Sequence, residues 1–173
     1  MHSQRKFRPQ QRGFSLVELM IVIAIIGILI GVGIPAWQAM MRSANESAAV
    51  TTLKTLATVQ ATYYNQHNRS KYGTFPELVA DGHLDARFNS ESPATDGYIF
   101  TMIVTPRSAG QPPTFNVNAD PEQSEGVAAT GRNHFYMGSN SSSIHVNETQ
   151  PATATDPPVG GGAGSGSGSA PAK

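Results

Sequence analysis

The chain has one uncharged segment long enough to dominate any fold it adopts. It runs from Leu19 to Met41, and its first part, Leu19 to Ile34, is almost entirely aliphatic. As a helix rising about 1.5 Å per residue it would be roughly 34 Å long, enough to cross a hydrocarbon core of about 30 Å. Basic residues precede it without any acid, which predicts a cytoplasmic N-terminus and a body on the far side of the membrane. These residues are Arg5, Lys6, Arg8 and Arg12.

A single acid, Glu18, stands directly before this apolar segment. A carboxylate at mid-bilayer costs about 2.5–3.5 kcal/mol on insertion scales, so ionisable groups in such segments are candidates for function. A local explanation also exists, because Ser15 and Glu18 have the spacing of a helix capping box. An ordinary cleaved signal peptide fits poorly, since the apolar segment ends at 33–39 without the small-residue site that signal peptidase needs.

The residues Arg12-Gly13-Phe14-Ser15-Leu16-Val17-Glu18-Leu19, followed by a long apolar helix, resemble the N-terminus of type IV pilins and the related pseudopilins. The resemblance implies that a prepilin peptidase cuts between Gly13 and Phe14 and methylates the new amine of Phe14. It also implies that Glu18 pairs with the Phe14 amine of a neighbouring subunit.

Elementary electrostatics agrees with that pairing. An α-amine has an ordinary pKa of about 7.7–8.0, so cleavage would create a cation on each subunit near neutral pH. Removing one partner of a buried ion pair typically costs about 3–5 kcal/mol, because the other charge is left unpaired. A stagger that brings Glu18 to another chain's Phe14 avoids that penalty, so the pair would set the register of assembly.

Four residues weaken the apolar helix locally. Pro35 removes a backbone donor and crowds the carbonyl of Gly31, while Gly27 and Gly31 have the small-xxx-small spacing that permits close helix packing in lipid. Gly33 adds a further flexible position. By analogy with the resembled family, we expect local melting between Gly27 and Pro35 on polymerisation.

Beyond Pro35 an amphipathic pattern predicts that the helix continues to about Gln66. Thr74 to Glu77 resembles a capping box that opens a short helix through Ala80, and 89–97 is expected to be loop. Alternating or β-branched segments predict four strands, and an α+β domain with an antiparallel sheet of about four strands agrees with a pilin-like fold. The apolar stripe of the helix is Trp37, Met41, Ala44, Ala48 or Ala49, Leu53, Leu56 and Tyr63. The remaining face carries Arg42, Asn45, Glu46, Lys54 and Gln60. The predicted strands are 98–104, 115–119, 134–137 and 143–146.

The organisation expected from these patterns has four parts. A cleaved basic leader occupies 1–13, and a transmembrane or filament-core helix half occupies 14–41. A periplasmic or extracellular pilin-like domain occupies 42–149. The segment 150–173 is rich in Pro, Gly and Ser, which predicts a disordered tail.

Composition excludes several functions. From Phe14 onward 8 basic residues face 12 acids, a formal balance of −4 that disfavours nucleic-acid binding. The chain has no cysteine, so the disulfide loop of many pilins cannot form. No acid lies between Arg132 and Val146, which makes a calcium site there doubtful. His134 and His145 could face each other across a hairpin, but no metal site, cofactor or catalytic residue is expected.

The sequence therefore predicts a structural filament subunit rather than an enzyme. The resemblance implies a prepilin peptidase, an inner-membrane assembly platform and an ATPase as partners, with the chain itself as the main one. It places the precursor in the inner membrane and the product in a periplasmic or cell-surface filament. Two alternatives stay open: a pseudopilin of a type II secretion system, and a signal-anchored surface binding module.

Overall fold

A computed structural model describes residues 13–141 and 143–160 of the 173-residue chain. Residues 1–12 of the expected leader and 161–173 of the expected tail lie outside the described residues. The chain divides into two compact units, one ending at Ala39 and the other beginning at Met40.

The longest element, α1, spans Leu16–Gln66 and passes through Pro35 without interruption. Its predicted end at Gln66 is confirmed. By length and composition it is the one described helix that could cross a membrane. Every residue from Gly13 to Trp37 is exposed, so this half of α1 buries no side chain among the described residues.

The second unit adds one short helix, a 3₁₀ turn and five strands to α1. Helix α2 spans Phe75–Ala80, where the predicted capping box forms because Glu77 Oε2 accepts from the Thr74 N–H at 2.8 Å and from its hydroxyl at 3.1 Å. The 3₁₀ turn spans Ala86–Phe88. The strands are β1 (Ala94–Thr95), β2 (Tyr98–Thr105), β3 (Thr114–Pro121), β4 (His134–Gly138) and β5 (His145–Asn147).

The strands form one antiparallel sheet in sequence order, which confirms the α+β fold and the four predicted strands. The fifth, β1, lies in the segment that was expected to be loop. It pairs with β2 across a two-residue turn, Asp96-Gly97, in which both residues have positive φ. Asp-Gly is a favoured sequence for such hairpin turns, so a local signal for β1 was present.

The core of the second unit lies between one stripe of α1 and the inner face of the sheet. The buried residues of β3 alternate along the strand and are Phe115, Val117, Ala119 and Pro121. From α1 the buried residues recur every three or four positions, as a helix packed on a sheet requires. They are Ala49, Leu53, Leu56, Gln60 and Tyr63, whereas Trp37, Met41 and Ala44 of the predicted stripe are exposed.

Candidate functional site

Glu18 is the third residue of α1, and its carboxylate turns back toward the helix start. Its Oε2 accepts a hydrogen bond from the Ser15 backbone N–H at 2.9 Å. That N–H is one of the donors left without a partner at a helix start. The glutamate half of the capping box predicted for Ser15 and Glu18 is therefore formed.

The helix start at Glu18 and the helix beyond it expose large apolar side chains. Phe14 is 85% exposed, and Ile28 and Leu29 farther along are 68% and 65% exposed. A Cβ added at Gly27, Gly31 or Gly33 would meet nothing within 4 Å. Packing among the described residues consequently gives no reason for glycine at these three positions.

In the second unit, polar side chains on one face of α1 hold the connection between β3 and β4. Arg42 donates from Nη2 to the Gly126 carbonyl at 2.9 Å and from Nε to the Ala129 carbonyl at 3.2 Å. Asn45 donates to the Thr130 carbonyl at 2.8 Å. Arg42 and Asn45, which the periodicity placed outside the apolar stripe, therefore make tertiary contacts.

The carboxylate of Glu46 completes this attachment. It accepts from the Arg132 N–H at 2.9 Å and from the Asn133 amide at 2.8 Å. The phenol of Tyr98 also reaches the segment and donates to the Asn133 carbonyl at 2.9 Å. Burial raises the pKa of Tyr98 well above its ordinary value, and the nearby Glu46 carboxylate acts in the same direction, so the phenol remains a donor.

Gln60 is a second departure from the predicted helix pattern, because it is a polar residue that lies in the core. It was assigned to the polar face, yet it is fully buried. Its amide donates to the Gly73 carbonyl at 2.6 Å and accepts from the Gly73 N–H at 3.0 Å. A Cβ on Gly73 would lie 2.9 Å from Leu78 and 3.1 Å from the Tyr63 ring. The Gln60 amide therefore satisfies both backbone groups of Gly73, where a larger residue would require Leu78 or the Tyr63 ring to shift.

The segment 150–160 differs from the disordered tail that composition suggested. Ala152 is 2% exposed, and its carbonyl accepts from the Asn118 amide at 2.8 Å. Farther on, the Val146 N–H donates to the Pro157 carbonyl at 2.9 Å, and the Val159 N–H donates to the Ile144 carbonyl at 2.7 Å. We call residues 150–160 the C-terminal strap.

Asp156 organises the strap internally. Its carboxylate accepts from the Thr153 N–H at 2.7 Å, the Thr153 hydroxyl at 2.9 Å and the Asn147 amide at 2.9 Å. The hydrogen bond from the Thr153 N–H is the main reason why the pKa of Asp156 lies below its ordinary value. These hydrogen bonds connect residues near the C-terminus of a chain that has no cysteine and therefore no disulfide.

The two C-terminal histidines do not face each other. His134 lies opposite Asn147 in the sheet, and His145 lies opposite Tyr136. His134 Nδ1 instead contacts Asp120 Oδ1 at 2.6 Å.

His145 has both ring nitrogens engaged. Its Nδ1 contacts the Asp156 carbonyl at 2.5 Å, and its Nε2 contacts the Ser141 hydroxyl at 2.9 Å. That hydroxyl also accepts from the Ser143 N–H at 3.2 Å, so it supports the turn between β4 and β5. Among the described residues, no three His, Asp or Glu side chains lie together as metal ligands would.

Comparison with known proteins places the N-terminal features in a family. Residues 8–34 match the family described as the prokaryotic N-terminal methylation motif. The type IV major pilin protein PilA of Myxococcus xanthus is 31% identical over 155 residues, which cover 90% of this chain and 63% of that protein. The type IV major pilin protein PilE of Neisseria gonorrhoeae is 44% identical over 90 residues, covering 51% of this chain and 54% of that protein.

A fimbrial protein of Moraxella nonliquefaciens is 43% identical over 72 residues, covering 42% of this chain and 46% of that protein. The chain thus spans between about half and two thirds of the length of these relatives. No solved structure matches it significantly.

Fold, apolar helix and motif together define an α+β protein that begins with a prokaryotic N-terminal methylation motif. Over these ranges the chain is similar to type IV pilins, the family that its N-terminal residues resemble.

Proposed function

We propose that this chain is a precursor subunit of a type IV filament, processed after Gly13, N-methylated at Phe14 and polymerised through the first half of α1. The observation that carries the proposal is the exposed apolar surface of residues 14–37, which includes one carboxylate and is not covered by the other described residues. Apolar area of this extent needs a membrane or other copies of the same helix to cover it.

Glu18 would exchange or extend its partners on assembly. In the single chain its carboxylate has one backbone donor, the Ser15 N–H. A carboxylate can accept several hydrogen bonds, so the methylated amine of a neighbouring Phe14 can be added without breaking the cap. The cap would hold the carboxylate at the helix start, and the amine would supply the compensating charge.

The glycines would act between copies. Because added Cβ atoms at Gly27 and Gly31 meet nothing within 4 Å in the part of the chain that the structure describes, close approach of a neighbouring helix is a reason for their small size. Gly33 and Pro35 would then permit the local melting expected on polymerisation. Hydrogen–deuterium exchange of assembled filaments should show fast exchange between Gly27 and Pro35, and full protection there would contradict this part.

The remaining features of the proposal rest on the resemblance and on the relatives. Prepilin peptidase would be the processing partner, and an inner-membrane platform with its ATPase would drive assembly. The precursor would span the inner membrane once with its N-terminus in the cytoplasm, and the filament would be on the cell surface.

A type II secretion pseudopilin is the less favoured candidate, because the relatives compared above carry the names of pilins and fimbrial proteins. A signal-anchored binding module is less favoured too, since it leaves the methylation motif without a role.

Mass spectrometry of the mature chain tests processing. The expected terminus is N-methylated Phe14, and an intact Met1 would overturn the proposal. Glu18→Gln then separates charge from capping, because the amide oxygen can still accept from the Ser15 N–H. This variant should insert into the membrane normally and fail to form filaments, as should Glu18→Ala. Normal filaments from Glu18→Gln would eliminate the charge pair as the determinant of register.

A further inference from the structure

The second unit has an open groove beside α1. Its volume is about 560 Å³, and it runs along Val50, Ala57 and Ala61 on the helix. The opposite wall comes from the β4–β5 turn, with Ser143 and Ile144, and from Val159 of the strap. Lys54, on its rim, is the only charged side chain among the described residues that line it. The groove is therefore largely apolar and carries a positive charge at its edge.

The same unit carries a projecting turn with exposed acidic side chains, which lies beside Arg42 and Arg132. Val127, at the tip of a turn between β3 and β4, is 75% exposed. The turn is closed by a hydrogen bond from the Ala129 N–H to the Gly126 carbonyl at 3.4 Å, and Arg42 donates to the carbonyls at both of its ends. We call residues 122–129 the acidic loop, because it contains Glu122 and Glu125, both exposed, and no basic residue.

The loop and the groove carry side chains of opposite charge, and each also exposes apolar side chains. The acidic loop presents the Val127 side chain on a turn held at both ends, with two carboxylates in the same loop. The groove presents a largely apolar recess that is lined by one ammonium group, that of Lys54. Two different patches of one chain that fit each other make a heterologous contact, which produces an open filament when its rotation does not close a ring.

We propose that the groove of one copy receives the acidic loop of a second copy, with Val127 in the recess and Glu125 beside Lys54. The inference deepens the proposed function, on which it rests, by naming a contact between globular domains. The loop is attached to α1 at Arg42 and Asn45, and the groove follows α1 over 50–61. At about 1.5 Å per residue, parallel copies in this contact would be offset by about 18 Å along the helix direction.

The absence of native cysteine makes a direct test possible. Two double variants place one cysteine on the loop tip and one on either groove wall: Val127→Cys with Ala57→Cys, and Val127→Cys with Ser143→Cys. A disulfide needs Cα atoms about 4.4–6.8 Å apart, so only a seated loop can form it. Val127→Cys with Thr101→Cys is the matched control, because Thr101 is exposed on β2 and does not line the groove.

Filaments of each variant are oxidised and separated under denaturing, non-reducing conditions. A ladder of covalent oligomers from at least one groove variant, several-fold above the control, is the expected result. Filaments that assemble without such a ladder would overturn the loop–groove contact and leave the proposed function intact. A wild-type chain that forms no filament under assembly conditions would instead overturn the proposed function.

Charge reversal gives a second readout that does not depend on cysteine. Lys54→Glu and Glu125→Lys should each lower filament yield by about twofold to fivefold, the range expected for an exposed ion pair. The double variant should restore the yield, and Glu91→Lys, an exposed acid outside both surfaces, should leave it unchanged. Unaltered yields from both single variants, or a double variant no better than either, would overturn the pairing of Glu125 with Lys54.

Discussion

The two halves of α1 are one continuous helix with different relations to the rest of the chain. From Leu16 to Trp37 every side chain is exposed, although most are apolar. From Ala49 onward a single stripe is buried and the other faces carry polar residues. The difference shows that the second half is stabilised by its own domain, whereas the first depends on its surroundings for burial.

A matched pair of leucine substitutions gives the strongest test of this contrast. Leu56 is fully buried and Leu29 is 65% exposed. Leu56→Ala should lower the free energy of unfolding of the second unit by about 2–5 kcal/mol, because it leaves a cavity in the core. Leu29→Ala should leave that free energy unchanged. Urea denaturation in detergent, followed by near-UV circular dichroism, measures both, and equal losses would refute the division.

Gln60 allows a sharper test within the buried stripe, because it is the one polar residue there. Gln60→Leu replaces the amide with an apolar side chain of similar size and leaves the Gly73 N–H and carbonyl without their partner. Unsatisfied buried groups cost about 1–3 kcal/mol each, so we expect a loss in this range by the same denaturation measurement.

Gln66→Leu is the control for Gln60→Leu. Gln66 is exposed and its amide contacts only His83 among the described residues, so its substitution should change the stability little. A Gln60→Leu variant as stable as wild type would show that packing, and not the amide, holds the segment around Gly73 against α1.

The smallest expected effect concerns the C-terminal strap and depends on pH. The pKa of Asp156 is lower in the folded chain than its ordinary value, so folding favours the charged form. Its contribution is present above the unfolded pKa, about 3.9 for an aspartate, and is lost as pH falls through the lower folded value.

Asp156→Asn should therefore lower the melting temperature slightly at pH 7, and the difference from wild type should shrink as pH falls below about 4. Thermal melts of both chains across that range give the measurement. A difference that persists undiminished at pH 2 would assign the effect to lost hydrogen-bond geometry and exclude charge as its cause.

Local patterns predicted the elements well because each of them has a periodic or capping signal. The spacing of apolar residues carried the helix to Gln66, and alternation located the strands. The Thr74–Glu77 capping box fixed the start of α2. The short strand β1 had a signal too, in Asp96-Gly97, but two residues are too few for an alternation pattern.

Tertiary contacts decided the roles that local chemistry misassigned. Arg42 and Glu46 suit a solvated helix face, yet they bind backbone groups more than 80 residues away. Gln60 suits the same face, yet its amide is needed where Gly73 approaches α1.

Tertiary contacts also decide the structure of the C-terminal strap, which its composition predicted to be disordered. Its composition cannot form a core alone, but the sheet offers it the Asn118 amide and the open edge of β5.

By itself, then, the sequence determined the long apolar helix, the methylation motif, the order of the elements and the position of Glu18. All of these follow from residues close together along the chain, where period and spacing are physical constraints. The attachment of the β3–β4 connection, the burial of Gln60, the order of residues 150–160 and the pairing of His134 with Asp120 were decided only in the folded structure. They depend on polar groups distant in sequence meeting as donor and acceptor, and no local pattern records which partner each will find.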